Sequence, residues 1–229
     1  MPDGRAERFE IFVTWYLRFN GYFTIPSFVV HAGDDPARIS RGAIGNLTEV
    51  DTLAVRLPFS REESGIQFPT DRNLVEGAEG RFDVVIAEVK SGEGNSPNPI
   101  WRKGETAPVE YLLRFVGWHS DVAKIEEAAK QLSQSYVFEE PNLRIRYIVF
   151  AEKPDQVWQD KGVRYITFDD CVHFLSEERG QCWANSGIGT RSMHGQWNPL
   201  MNRIFQIAND ASLDALQRRE KIWEVLDKE

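Results

Sequence analysis

Apolar side chains along this chain recur first at helical and then at strand spacing, and the changes of period set out its elements. Phe9, Phe12, Val13, Tyr16 and Phe19 fall on one helical stripe that ends at Asn20-Gly21, which predicts a first helix over residues 6–19. A strand is expected around Phe28-Val29-Val30-His31, and a second runs from Glu49 to Leu57, stopped by Pro58. After a polar, irregular stretch comes Phe82 to Lys90, an apolar β-branched run with the composition of a strand buried on both faces. Residues 91–107, rich in Gly, Pro and Asn, read as a long exposed loop, followed by a short apolar piece from Tyr111 to Val116.

Residues 121–138 form an amphipathic helix capped by Ser120, with Val122, Ile125, Ala129, Leu132 and Tyr136 on its buried stripe. Strands follow at 143–150 and 163–168. Asp169 or Asp170 then opens a helix that runs to Glu178, residues 180–195 are loop-like, and two helices, 199–209 and 212–227, end the chain. The order is helix, three strands, helix, two strands, helix and a helical tail. It implies an α/β fold with one mixed sheet covered by helices on both faces. Residues 1–180 make the core and 181–229 a C-terminal helical extension that either covers the sheet or mediates a homodimer.

Composition narrows the functions available. At 229 residues the chain suits one good-sized domain or one domain with an appendage. A formal net charge of −8 provides no global field for polyanions, yet leaves room for a local cleft whose acids hold metal ions. Cys171 and Cys182 make neither a disulfide framework nor a zinc spacing, and His31, His119, His173 and His194 are scattered. Gly42-Ala-Ile-Gly45 is too loose for a phosphate loop. With no secretory segment and no run of 18 apolar residues, a soluble, cytoplasmic protein with no membrane partner is expected.

The chemistry concentrates at the end of the third strand. Side chains alternate along a strand, so Glu88 and Lys90 share a face with Val84 and Ile86, and Glu49, Asp51, Leu53 and Val55 share one on the second strand. If the two strands are neighbours, Asp51 and Glu88 stand together, and one of them must take up a proton or share a cation. Hard carboxylate oxygens select Mg²⁺ or Mn²⁺, which bind through one or two carboxylates, waters and substrate phosphate. Such an ion polarises a phosphoryl oxygen and activates water, and an adjacent lysine orients that water or stabilises the developing charge. A lone Glu-x-Lys is usually a surface ion pair of small consequence. Its placement at the end of an apolar strand, beside a strand that presents Asp51, gives it meaning. Glu10, by spacing alone, is a flank residue of the first helix.

A helix Glu (Glu10, ahead of Gly21-Tyr22), a strand Asp (Asp51) and a strand Glu88-Val-Lys90-Ser-Gly resemble the PD-(D/E)XK nuclease superfamily. The resemblance covers residues 6–178 as an order of elements and implies a restriction-endonuclease-like fold. It further implies Mg²⁺-dependent (or Mn²⁺-dependent) hydrolysis of DNA phosphodiester bonds, with Asp51 and Glu88 as metal ligands, Lys90 on the water and Glu10 as an outer or second-metal ligand. In some relatives a helix Gln supports the site, and Gln131 or Gln134 stands in that place. Arg38, Arg41, Arg56, Arg61, Arg102 and Lys103 are candidate phosphate contacts, and Trp101 is a candidate stacking contact with nucleic acid. The chain departs from the pattern in having no Pro before Asp51 and a long spacing from Asp51 to Glu88. Two other readings stand beside the nuclease. One is a nuclease-like binding or assembly subunit without cleavage. The other is a two-carboxylate glycosidase, opposed by Lys90, which would depress the pKa that a general acid needs raised.

Overall fold

The first helix, α1 (Arg5–Phe19), turns Phe9, Phe12, Val13, Tyr16 and Leu17 inward, and all five are fully buried. The computed structural model describes residues 4–31, 46–60, 68–186 and 198–228. Six strands within them make one mixed sheet: β1 (Tyr22–His31), β2 (Asn46–Arg56), β3 (Phe82–Lys90), β4 (Val137–Glu140), β5 (Leu143–Ala151) and β6 (Arg164–Thr167). Strands β1, β2 and β3 are antiparallel neighbours, β3 lies parallel to β5, and β5 carries β4 along its first half and β6 along its second. Two short helices, α2 (Arg72–Val75) and α3 (Pro99–Lys103), flank β3; the parallel step from β3 to β5 needs a crossover, and helices α4 (Thr106–Val116) and α5 (Val122–Ser135) supply it.

The two faces are distinct cores. Ala54, Val85, Ala87, Ile148 and Phe150 face α1, and behind α1 the last two helices, Pro199–Ala208 and Ala215–Lys228, add Met201, Ile204, Ile222 and Leu226 to the same core. Arg8 of α1 fixes the end of the last helix by donating to the carbonyls of Leu226 and Asp227 at 2.9 and 3.2 Å. Leu53, Val84, Ile86, Ile145, Tyr147 and Val149 face α4 and α5. Alternation along β2, β3 and β5 therefore assigns each side chain to one core or the other.

Several expected boundaries move. Strand β1 begins at Tyr22 rather than near Phe28, because it is an edge strand: Phe23 and Ile25 point to solvent, Pro26 interrupts it, and pairing with β2 carries it through. The segment expected as a 91–107 loop contains α3 (Pro99–Lys103), started by Asn98-Pro99 and stopped by the left-handed Gly104. The cap of α5 is Asp121, which accepts from the Ala123 N–H at 2.9 Å, so Ser120 lies outside the helix and Val122 is exposed in its first turn. Tyr136 ends α5 at φ 62°, turning the chain into β4, a strand the apolar pattern did not reveal.

The helix opened at Phe168 by a Thr167–Asp170 capping box does not stop at residue 178. It continues through one π turn, Leu175–Arg179, to Ser186. Buried Trp183 holds that continuation between Phe19 and Phe205, at 5.1 and 4.9 Å between ring centroids. Gly180, which resembled a stop, serves close packing: a Cβ there would meet the Ala208 carbonyl oxygen at 2.5 Å.

On the α1 side, β3 is locked near its start by a buried charge cluster. Asp83 accepts from Arg144 Nε at 2.8 Å, from Arg146 Nη2 at 2.6 Å and from the Tyr22 hydroxyl. Burial alone would raise its carboxyl, but Arg146 and Arg144 outweigh that and hold it below the usual range. Among the described residues no helix is long and apolar enough to cross a membrane.

Candidate functional site

Strand pairing brings the acids together. The β2–β3 ladder runs as far as Thr52 opposite Ala87, and one step further Asp51 stands across from Glu88. There the two strands part, and the Asp51 side chain takes over from the backbone: the Val89 N–H donates to Oδ2 at 2.6 Å. Asp51 is thus fixed against the end of β3, satisfying a donor that would otherwise lose its partner. Burial raises its carboxyl, Glu49 adds to the rise, and the Val89 N–H and Lys90 oppose it.

Glu88 is 3% exposed, at the exit of a strand whose central residues are all buried. Its Oε2 accepts from the Asn98 N–H at 3.1 Å and from the hydroxyl of Tyr147. Its Oε1 lies 2.5 Å from Lys90 Nζ in an ion pair, and this buried oxygen has no other partner. Burial dominates the Glu88 carboxyl and raises it to about 7, against the pull of Lys90 and the Asn98 N–H and with a further push from Asp51. Lys90, the more open of the two, donates to Asn98 Oδ1 at 2.9 Å.

Glu10 arrives from the helix layer. The hydroxyls of Thr14 and Thr52 meet at 2.7 Å and lay α1 across β2. Glu10 lies one helical turn before Thr14 on the same stripe, which aims it towards the start of β2. Its carboxyl is raised by burial, then by Asp51, Glu49 and Glu7. Glu10, Glu49, Asp51 and Glu88 therefore gather with Lys90 at one end of the sheet, an excess of negative charge suited to a cation.

Among the described residues no three Asp, Glu, His or Cys side chains converge into a ready cage for a metal ion. The donor set nevertheless fits a hard, water-rich cation, which binds through one or two carboxylates. Glu88 Oε1 meets only Lys90, and Asp51 has committed one oxygen to Val89. Asp51 and Glu88 are the residues that would hold such an ion.

The expected nucleic-acid contacts divide. Arg41, with Arg38 and Arg61, lies outside the described residues. Trp101 is a correction: it is 5% exposed and stacked on Tyr147 with ring centroids 4.1 Å apart, so its faces belong to the core and are closed to a base. Arg102 and Lys103 are exposed on α3, and Gln131 is on the exposed side of α5. Arg56 Nε is occupied by the Asn20 carbonyl at 3.1 Å. His119 accepts from the Asp121 N–H, and His173 pairs with Glu177, so both have local structural partners.

Two site residues escaped the sequence pattern, Tyr147 and Asn98. Tyr147 pairs with Ile86 in the parallel β3–β5 register, which places it on the Glu88 face. That parity is readable once β5 is known to neighbour β3. Asn98 looked like a loop residue. No family model, curated protein or solved structure matches this chain.

Proposed function

We propose that this chain is a Mg²⁺-dependent endonuclease that hydrolyses DNA phosphodiester bonds on a restriction-endonuclease-like core. The observation that carries the reading is the meeting of Asp51 and Glu88, from separate strands, at one end of the sheet with Lys90 in contact with Glu88. Asp51 and Glu88 hold the ion, which when bound polarises a phosphoryl oxygen and makes water acidic. Lys90 orients the attacking water or stabilises charge on the phosphate, and Glu10 assists from α1. Arg102 and Lys103, exposed on α3 beyond Asn98, would meet the backbone of the nucleic acid. DNA as the substrate rests on the resemblance.

The test is cleavage of supercoiled plasmid with Mg²⁺ or Mn²⁺ by the wild type and by Glu88→Ala and Lys90→Ala, with folds matched by circular dichroism. The expected result is nicking or linearisation by the wild type alone, abolished by EDTA. Equal activity in all three preparations overturns the mechanism. One observation favours a second reading, a nuclease-like binding or assembly subunit without cleavage: both Glu88 oxygens already have partners, Lys90 among them. Mg²⁺ titration separates the two, since the enzyme takes up the ion and loses that heat in Asp51→Asn.

A further inference from the structure

Asn98 breaks a local rule that its counterpart keeps. Asn98-Pro99 and Asn198-Pro199 both start helices, with Asn at the cap and Pro in the first turn. Asn198 does what a cap residue does, accepting from the Leu200 N–H at 2.9 Å. The Asn98 side chain makes no capping bond, and its Oδ1 instead accepts from Lys90 Nζ at 2.9 Å. Its backbone N–H meanwhile donates to Glu88 Oε2 at 3.1 Å. One residue grips both members of the Glu-x-Lys pair. Departures from local preference of this kind mark sites where function has overridden stability.

Tyr147 completes the grip. It is 1% exposed, and a phenol buried among apolar residues needs an acceptor. It finds one in Glu88 Oε2, while Trp101, two residues into the helix that follows Asn98, stacks on its ring. Both donors therefore converge on the same carboxylate oxygen. The other oxygen, Oε1, takes neither of these donors and meets only Lys90 Nζ, at 2.5 Å.

The geometry points to Tyr147 and Asn98 as positioning residues: Tyr147 fixes Glu88 so that Oε1 is reserved for the cation, and the Asn98 side chain holds Lys90 beside it. This rests on the metal-dependent reading proposed above, and it divides the work. Tyr147 acts through Glu88 and so governs ion affinity, whereas Asn98 Oδ1 acts through Lys90 and so governs turnover. Partners behind a metal ligand typically change affinity or activity by about 10- to 100-fold.

The experiment measures Mn²⁺ affinity by calorimetry, plasmid cleavage and melting temperature for the wild type, Tyr147→Phe, Asn98→Ala and Asn198→Ala. Tyr147→Phe keeps the stacked ring and is expected to weaken Mn²⁺ binding by about 10- to 100-fold. Asn98→Ala is expected to bind Mn²⁺ as the wild type does, to melt with it, and to lose about tenfold or more in kcat at unchanged KM. Asn198→Ala is expected to melt lower with kcat unchanged. Unaltered Mn²⁺ affinity in folded Tyr147→Phe overturns the role given to Tyr147. A lower melting temperature without a fall in kcat in Asn98→Ala overturns that given to Asn98, and this arm decides alone should Tyr147→Phe fail to fold. Absence of Mn²⁺ binding in the wild type removes the metal-dependent reading itself, and this proposal with it.

Discussion

Replacing Glu88 with Gln in metal-free protein is expected to stabilise the fold at pH 8. The Glu88 carboxyl is moved from 4.5 to about 7, chiefly by burial, and a shift of that size is worth about 3 kcal/mol. Between those two values the native state holds a proton that the unfolded chain has released. Stability therefore falls as pH rises through the window, and the whole penalty is present above pH 7. Gln carries no charge, and its carbonyl oxygen can still accept from Asn98 and Tyr147. Lys90 loses its ion-pair partner, but that attraction is already contained in the value of about 7, and Lys90 keeps Asn98 Oδ1. The net gain is about 3 kcal/mol, or roughly 6 to 12 °C in Tm for a chain of this size. The assay is thermal and urea unfolding in EDTA at pH 5 and pH 8, with plasmid cleavage measured alongside. A gain at pH 8 that vanishes at pH 5, together with lost cleavage, is the expected outcome. A variant less stable than the wild type at pH 8, or a gain of equal size at both pH values, refutes the argument.

Asp83→Asn is expected to do the reverse, costing about 3 to 5 kcal/mol by leaving Arg144 and Arg146 buried without their carboxylate, as read by urea unfolding. Because the wild-type Asp83 is held below its ordinary value, its contribution is complete above about pH 4 and is lost as pH falls through the folded value, visible as acid unfolding absent from the Asn variant. Gly180→Ala is expected to cost about 1 to 3 kcal/mol, since the new methyl would fall 2.5 Å from the Ala208 carbonyl oxygen and 2.8 Å from that of Leu175. Gly94→Ala, with nothing within 4 Å, is the control and stays within about 0.5 kcal/mol of the wild type.

What could be read from residues alone depended on how strongly each local pattern was enforced. Strand β3 was legible because it is buried on both faces, so nearly every position is apolar and the exceptions stand out. Strand parity alone puts Glu88 and Lys90 on the face of Val84 and Ile86, and the structure has Glu88 there with Tyr147. Helix α1 was equally plain. The edge strand β1 was half legible, since solvent on one side relaxes the alternation and lets Phe23 and Ile25 point outward. The π turn and the helix beyond it were hidden because Gly180 reads locally as a terminator, whereas its reason is a neighbouring carbonyl from far along the chain. Trp101 misled in a similar way: Arg102 and Lys103 suggested an exposed basic aromatic site, and only the three-dimensional position of Tyr147 shows the ring to be covered. The acids of the site were visible in the sequence. The groups that hold them, Tyr147 and Asn98, were not, because hydrogen bonds between distant segments leave no periodic trace.

The central claim is that Asp51 and Glu88 serve one divalent ion, and crystals soaked in Mn²⁺ with anomalous data collected at the manganese edge test it most directly. The account predicts an anomalous peak in direct contact with a carboxylate oxygen of each residue, lost in crystals of Asp51→Asn. Saturating Mn²⁺ that leaves the space between the two carboxylates empty, or binds only elsewhere on the acidic surface, contradicts it.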